Sequence, residues 1–348
     1  MILIISTESD FHAHVVSKGL DELGSHSQLL CLDGSPFNHE ISLSLQEEEC
    51  LRFRSRARSA ALDFSKVRTI WHRRSGSISA PDRLPSKNHK IFNQEWQDSR
   101  RGMLHLLDQA APFWANHWMQ AWRAENKVLQ LSMAKKLGFK IPRTLISNSA
   151  DEIRRFYELH DGNIIHKMFN PATFEGATAC TAKVAPELMS QTQTLGLCPG
   201  IFQEFLDIEF EARVLVAGEE ILAAKMINSG KAGIDIRRDQ LGGLAITPME
   251  LPAAIHERCI QLTRQLGLCT CSIDLAYTRS GQWNFFEVNQ AGQFLWMELH
   301  EPELRTLDLM CRFLVSGTAD FRLREKPSLK LADHLPKEFF DRPGQEWK

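Results

Sequence analysis

The sequence predicts an α/β protein with two or three domains. Three observations carry this reading. The chain is 348 residues long, with 43% hydrophobic and 24% charged residues, enough for more than one packed core. Short apolar runs alternate with helical patterns over the first hundred or so residues. From the Asn163–Met168 segment to about residue 290 the chain becomes strand-rich, with turn signals between runs.

Taken in order, Ile2–Ser6 reads as a buried strand, Phe11–Leu23 as a helix stopped by Gly24, and Gln28–Leu32 and Val67–Trp71 as further strands. The Glu- and Arg-dense stretch from Glu47 to Arg58 reads as a solvated helix. Ile91, Phe92, Trp96, Met103, Leu104 and Leu107 lie on one stripe of a long helix over 88–107. After a strand at Phe113–Asn116, a boundary is expected at Trp118–Glu125, followed by a helix from Lys127 that closes at Gly138. Ile141–Ile146 and Asn163–Met168 are predicted strands, with a helix capped by Ser149 between them. Phe202–Leu206, Glu211–Val216 and Ile221–Ile227 read as sheet strands, the last two joined by a tight turn. A helix over Leu251–Leu266 precedes a hairpin, Cys271–Tyr277 and Gln282–Val288, and Leu304–Leu314 is the last helix. The expected domains are 1–120, 121–206 and 207–320, with 321–348 as a loosely attached tail.

Composition excludes little but says something about partners. With 41 basic and 43 acidic side chains the net charge is −2, so no overall basic field favours nucleic acid or an anionic membrane. No apolar run approaches the roughly 18 residues of a membrane span, so a cytoplasmic protein is expected. The eight cysteines lack zinc-site spacing and are read as reduced thiols.

Chemistry concentrates late in the chain. Glu287 and Asn289 are two apart and share a sheet face, and the hairpin partner brings Asp274 beside them. Two carboxylates and an amide suit Mg²⁺ completed by nucleotide phosphates; the alternative is the wet face of a hairpin. Lys167 and Lys225 sit among apolar strand neighbours, where polyphosphate would supply an anionic partner, although a lysine snorkelling at a strand end explains either alone. Gly176 lies in a turn-rich flap able to fold over phosphates. His12 and His14 are i,i+2 on a helix and do not face each other, so they make a poor metal pair. Cys269 and Cys271 have no histidine close in sequence, which argues against a thiol nucleophile. Trp114, Trp118 and Trp122 read as an interface rather than a base-stacking set.

The ordered set Asn126-Lys127, Lys167, the Gly176 loop, Phe202-Gln-Glu-Phe-Leu206, Glu211-Ala-Arg213, Lys225, Asp274 and Phe286-Glu-Val-Asn289 resembles the ATP-grasp superfamily, such as glutathione synthetase and the glutamate ligases. More narrowly, Ile70-Trp-His-Arg-Arg74, Asn126-Lys127 with Gln130-Leu131, Ile141–Asn148, Asp235-x-Arg237 and Asn289–Trp296 resemble the graspetide (microviridin-type) peptide ligases. His72 stands where that family usually has Tyr, and Ser75-Gly-Ser departs from its more usual Pro.

The resemblance implies an ATP-grasp fold with an N-terminal pre-ATP-grasp domain, and ATP and Mg²⁺ as cofactors. It implies that Lys127 and Lys167 contact phosphates, that Gln203, Glu204, Phe205 and Leu206 hold adenine, and that Glu211 meets the ribose. Arg213 would stabilise the transferring phosphoryl group, and Asp274, Glu287 and Asn289 would hold Mg²⁺. Lys225, Asp235 and Arg237 would lie near the γ-phosphate and the acceptor carboxylate. The implied reaction joins Asp or Glu side chains of a ribosomal precursor peptide to Lys or Ser/Thr, with ADP and phosphate released. The implied partners are a leader-bearing precursor and a second copy of the chain, and the hairpin near Glu211–Glu220 is one candidate leader groove. A ligase of amino acids, small metabolites or a protein terminus is the alternative, and a nucleotide-dependent binding module without turnover a third reading.

Overall fold

A computed structural model of the chain describes residues 1–33, 39–45, 49–55, 63–76, 78–110, 113–169, 173–174, 177–178, 181–228 and 244–335. The N-terminal layer is a parallel sheet. Strand β1 (Ile2–Ser6) is buried along its whole length, as a central parallel strand covered on both faces must be. It runs between β2 (Ser27–Cys31) and β5 (Thr69–His72), and β6 (Phe113–Trp114) adds to the far edge. Helix α1 (Phe11–Glu22) crosses one face after Asp10 accepts the His12 N–H at 3.1 Å as its cap. Helix α2 (His89–Ala110) covers the other with Met103, Leu104 and Leu107.

The described part of the Glu- and Arg-dense stretch is not helical. Residues 39–45 (β3, His39–Leu45) and 49–55 (β4, Glu49–Ser55) pair antiparallel. Leu51 and Phe53 alternate with Arg52 and Arg54, and this period of two prevails over the helix-favouring charges.

Two more sheets follow. Helices α3 (Trp118–Ala124) and α4 (Lys127–Lys136) lead into β7 (Thr144–Ser147), α5 (Ala150–Leu159) and β8 (Ile164–Lys167). Short β9 (Thr173–Phe174) and β10 (Ala177–Thr178) pair with each other, and β11 (Ala182–Lys183), α6 (Thr192–Leu195) and β12 (Gly200–Glu204) complete the antiparallel order β11-β8-β12-β7. Its core is Ile153, Ile164, Val184, Leu195 and Phe202. The larger sheet has the order β15-β14-β13-β16-β17, from β13 (Ile208–Ala217), β14 (Glu220–Asn228), β15 (Leu244–Met249), β16 (Thr270–Thr278) and β17 (Trp283–Asn289). Helix α7 (Ala253–Gln265) packs on one face. Helices α3 and α4, expected with the smaller sheet, contribute Ala121, Ala124, Leu131 and Ala134 to this larger core instead.

The end of the chain departs most from expectation. Helices α8 (Leu295–His300), α9 (Thr306–Ser316) and α10 (Leu331–His334) return to the N-terminal layer, where Leu307, Met310, Phe313 and Leu314 share a core with Val15, Val16 and Leu20. The tail is therefore not loose as far as residue 335. Phe321, Leu329 and Leu331 are buried, and the N–H groups of Ser328 and Leu329 are held by Asp308 at 2.8 and 2.9 Å. The Leu331 N–H is held by Glu298 at 2.8 Å. Buried carboxylates that accept several backbone donors fix such a strap without a regular element. Among the described residues no helix is long and apolar enough to cross a membrane.

Candidate functional site

Register in the larger sheet builds the site. Arg213 on β13 lies directly opposite Asp274 on β16, and Asp274 directly opposite Glu287 on β17, so the three share one face in a row across three strands. Ser272 faces Asn289 one step along. The pairing slips between Asp274 and Leu275, which takes Phe285 as its partner, and Phe286 is the extra residue of a bulge beside the row.

The side chains converge as the strands place them. Arg213 Nη1 is paired with Asp274 Oδ1, and Arg213 Nη2 donates to the Gln293 carbonyl at 3.3 Å. The Asn289 amide donates to Asp274 Oδ2 at 3.2 Å and to Glu287 Oε1 at 3.3 Å. Lys127, first residue of α4, brings Nζ to 3.1 Å from Glu287 Oε2. Two carboxylates are thus matched by two cations, and their side chains keep 14 to 22% exposure, open to solvent on one side. Strand, helix and loop all contribute partners to these groups, more than a hairpin face alone would supply. The donor set fits Mg²⁺: hard oxygens, few of them, with cations beside them to receive phosphate. Among the described residues no group of three or more His, Cys, Asp or Glu is placed to hold a metal, so the remaining ligands would come from phosphate oxygens and water.

The smaller sheet supplies the opposite wall. Lys167 ends β8 with its ammonium 4.7 Å from the centre of the Phe286 ring. Gln203 is buried and donates to Thr144 Oγ1 at 3.0 Å, whereas Glu204 Oε1 accepts the Arg143 N–H at 2.8 Å. The Phe205 N–H goes to the Asn163 carbonyl at 2.9 Å, and Lys183 stands 4.7 Å over the Phe205 ring. Residues 203–206, with Leu206 half-buried, carry the chain from one sheet to the other.

Other sequence candidates are distributed unevenly. Glu211 lies on the Arg213 face, two residues along β13. Lys225 pairs with Ala212, which puts it on the other face, its ammonium 4.3 Å from the centre of the Phe210 ring. Gly176, Asp235 and Arg237 lie outside the described residues. The turn end of the Glu211–Glu220 hairpin is covered by the chain itself, with the Glu219 N–H on the Phe321 carbonyl at 2.9 Å and Arg322 on Glu219 at 3.2 Å. Burial pushes the Cys269 thiol up to about 11 and Cys271 up to about 12, so both stay protonated near neutrality and are poor nucleophiles.

Several further residues shape the site, and of these His12 and Asn116 carry no role in the sequence reading. His12 accepts the N–H groups of Phe294 and Leu295 at 3.0 and 3.3 Å, and burial with nearby arginines holds it neutral. Arg73 donates to Asp10 at 2.7 Å and to the carbonyls of Ala291 and Gly292 at 3.2 Å. Asn116 binds the carbonyls of Thr270 and Gln290 at 2.8 and 3.2 Å. The N-terminal layer thereby grips the loop that follows Asn289. A polar residue inside a predicted apolar stretch is the signal that flags such groups, and Asn116 at the end of Phe113–Asn116 shows it.

Comparison with known proteins agrees with this geometry. Residues 1–121 match the family model described as the MvdD pre-ATP grasp domain. No curated protein matches the chain by sequence. Among solved structures, the macrocyclase MdnC of Microcystis aeruginosa MRC, bound with precursor peptide MdnA, is similar with TM-score 0.80 and 25% identity, covering 91% of this chain and 100% of that one. A RiPP-associated ATP-grasp ligase of Chryseobacterium gregarium, in complex with ADP and a leader and core peptide, gives TM-score 0.81 and 24% identity over 94% of this chain and 99% of that one. The ATP-grasp ligase PsnB, complexed with minimal precursor, Mg and ADP, shares the fold at TM-score 0.71 and 17% identity over 91% and 97% of the two chains.

Proposed function

From a chain whose first 121 residues carry an MvdD-type pre-ATP-grasp domain and whose fold is that of the ATP-grasp ligases, we propose an ADP-forming peptide ligase. Its substrate is a ribosomal precursor peptide with a leader, whose Asp or Glu side chains are joined to Lys or Ser/Thr as lactams or lactones. The observation that carries this reading is the row Arg213, Asp274, Glu287 with Asn289 and Lys127, a charge-matched cluster at the junction of two sheets.

A carboxylate is a poor electrophile, so its oxygen first attacks the γ-phosphorus of ATP and ADP leaves. The amine or hydroxyl then attacks the acyl phosphate carbon, loses its proton and expels phosphate. Two anions must meet before either step. Lys127 and Lys167 receive phosphate oxygens, and Arg213 stabilises charge on the transferring group and on the tetrahedral centre. Asp274, Glu287 and Asn289 would hold Mg²⁺, which would neutralise phosphate charge when bound. Residues 203–206 hold adenine and Glu211 the ribose. Gly176 belongs to a flap over the phosphates, and Asp235 and Arg237 serve the γ-phosphate and acceptor side; Lys225, on the opposite face of the sheet, is not among them. The chain works as a cytoplasmic homodimer. The resemblances in fold and in the N-terminal domain, together with the cluster, support these assignments.

The test is mass spectrometry of the host's small-peptide pool incubated with the protein, ATP and Mg²⁺, with ADP, AMP and phosphate followed alongside. One water lost per bond from an Asp/Glu- and Lys/Thr-rich peptide, with matching ADP, is the expected result. Glu287→Gln should cut ADP formation about a hundredfold or more, which is about 2.7 kcal/mol of barrier. ADP with mass gained on a small molecule would reassign the substrate, and AMP would overturn the acyl-phosphate route.

A further inference from the structure

Strand β17 is the last strand of its sheet, so its outer edge exposes backbone groups that no neighbouring strand can pair. Three of them are met by other parts of the chain. The Phe285 N–H donates to the Lys140 carbonyl at 2.8 Å. The Val288 N–H donates to Gln130 Oε1 at 2.9 Å, and Gln130 Nε2 donates to the Val288 carbonyl at 2.8 Å. The same Nε2 donates to the Ala124 carbonyl at 2.6 Å. Gln130 is 2% exposed, and its amide stands in for the peptide group of a missing strand.

Val288 is the residue between Glu287 and Asn289. Gln130 and Lys127 are three apart on α4 and share a face. One helix face therefore sets two things: the backbone between the proposed metal ligands, and the ammonium 3.1 Å from Glu287. The bulge at Phe286 lies immediately before this pair, where the β16–β17 ladder is interrupted and offers less support.

We propose that Gln130 is a positioning residue for the metal site. It locks α4 to β17 so that Glu287, Asn289 and Lys127 keep one geometry toward Mg²⁺ and phosphate. The inference rests on the Mg²⁺·nucleotide reading of that cluster. Glutamine fits the position because it alone both donates and accepts at this length; methionine does neither, and a glutamate carboxylate would face two carbonyls.

The test measures Mn²⁺ binding in the presence of ADP by electron paramagnetic resonance on the full chain, with wild type, Gln130→Met and Leu262→Ala. Leu262, on the buried face of α7, belongs to the same core as Leu131 of α4 and has no part in the cluster, so it reports the effect of lost stability alone. The expected result is Mn²⁺ affinity weakened about tenfold or more in Gln130→Met and kept in Leu262→Ala, the range seen when a partner behind the ligands is lost. The Mg²⁺ concentration that half-saturates ADP formation should rise in parallel. A folded Gln130→Met with wild-type affinity overturns the inference, as does an equal loss in Leu262→Ala. If the methionine variant does not unfold cooperatively, Gln130→Glu is read by the same criteria. Wild type that fails to bind Mn²⁺ with ADP overturns both the site reading and the inference, whereas binding by wild type without loss in the variant overturns only the latter.

Discussion

Two ionic clusters flank the loop over 290–295, and they are built for opposite purposes. On the N-terminal side Arg73 and Asp10 meet at 2.7 Å with side chains 1% and 2% exposed, and Ser6 Oγ donates to Asp10 at 2.5 Å. On the sheet side Lys127, Glu287, Arg213 and Asp274 keep 14 to 22% exposure. In the first cluster the partners described are parts of the chain, and desolvation is complete. In the second, solvent reaches charges of the kinds that ATP and a divalent cation would take up. A buried pair fixes geometry, whereas a half-open pair can exchange partners, which is what a site for two anions needs.

The sharpest way to break this comparison is Arg73→Met. It removes the nearest cation from buried Asp10, leaving Arg74 at 3.9 Å with the Ser6 hydroxyl and the His12 N–H, and releases the carbonyls of Ala291 and Gly292. Urea unfolding should report a loss of about 3–5 kcal/mol. Turnover per folded molecule should fall less than in Glu287→Gln. A variant as stable as wild type would remove the distinction between the two clusters. Arg73 itself stays protonated at neutral pH, for burial lowers it only to about 10 and the Asp10 carboxylate opposes the shift.

Acid tests the same side of the molecule with a smaller effect. Burial pushes His72 down to about 4, with Arg100 and His117 adding to the shift, while its Nε2 lies 2.9 Å from Ser75 Oγ. The unfolded chain binds the proton near 6.5 and the folded chain only near 4. Unfolding therefore takes up a proton between these values, and stability falls as pH drops through that window. The loss across the window is about 3 kcal/mol, and none of it is incurred well above pH 6.5. His12, lowered in the same sense chiefly by burial, steepens the loss. His72→Gln should flatten the stability profile between pH 4 and 6.5, as read by denaturant midpoints. An unchanged slope would place the acid sensitivity elsewhere.

What was legible in the sequence follows from how local each signal is. Strand periodicity put Asp274, Glu287 and Asn289 on one face, and the register agrees, because a two-residue period survives any tertiary context. The same rule, applied across β13 and β14, would have separated Lys225 from Arg213, but their register depends on the turn at Gly218 and was not read. In the Glu- and Arg-rich stretch charge density favours a helix while alternation favours a strand, and its described residues follow the alternation. The return of α9 onto α1 joins residues about 290 positions apart, and no local pattern encodes such a contact. Asn116 and His12 carry no functional signal in the sequence, and Gln130 shows only as part of the graspetide-like motif, for a related reason: each serves a backbone partner distant in sequence, and a backbone partner leaves no mark of its own.

The finest test concerns Lys127. Its pair with Glu287 is 3.1 Å long, but both side chains are 22% exposed. A pair in contact with water recovers little net energy, because solvation lost and ordering of a long side chain offset most of the attraction. Lys127→Met should therefore change unfolding free energy by less than about 1 kcal/mol, far below Arg73→Met. Its effect should appear instead in the nucleotide: KM for ATP rises and becomes less sensitive to added salt, since one of the cations that receives phosphate is gone. A loss of stability comparable to Arg73→Met, with unaltered KM for ATP, would make this pair a structural bolt like the one at Asp10. It would also leave phosphate to Lys167, Arg213 and Arg237.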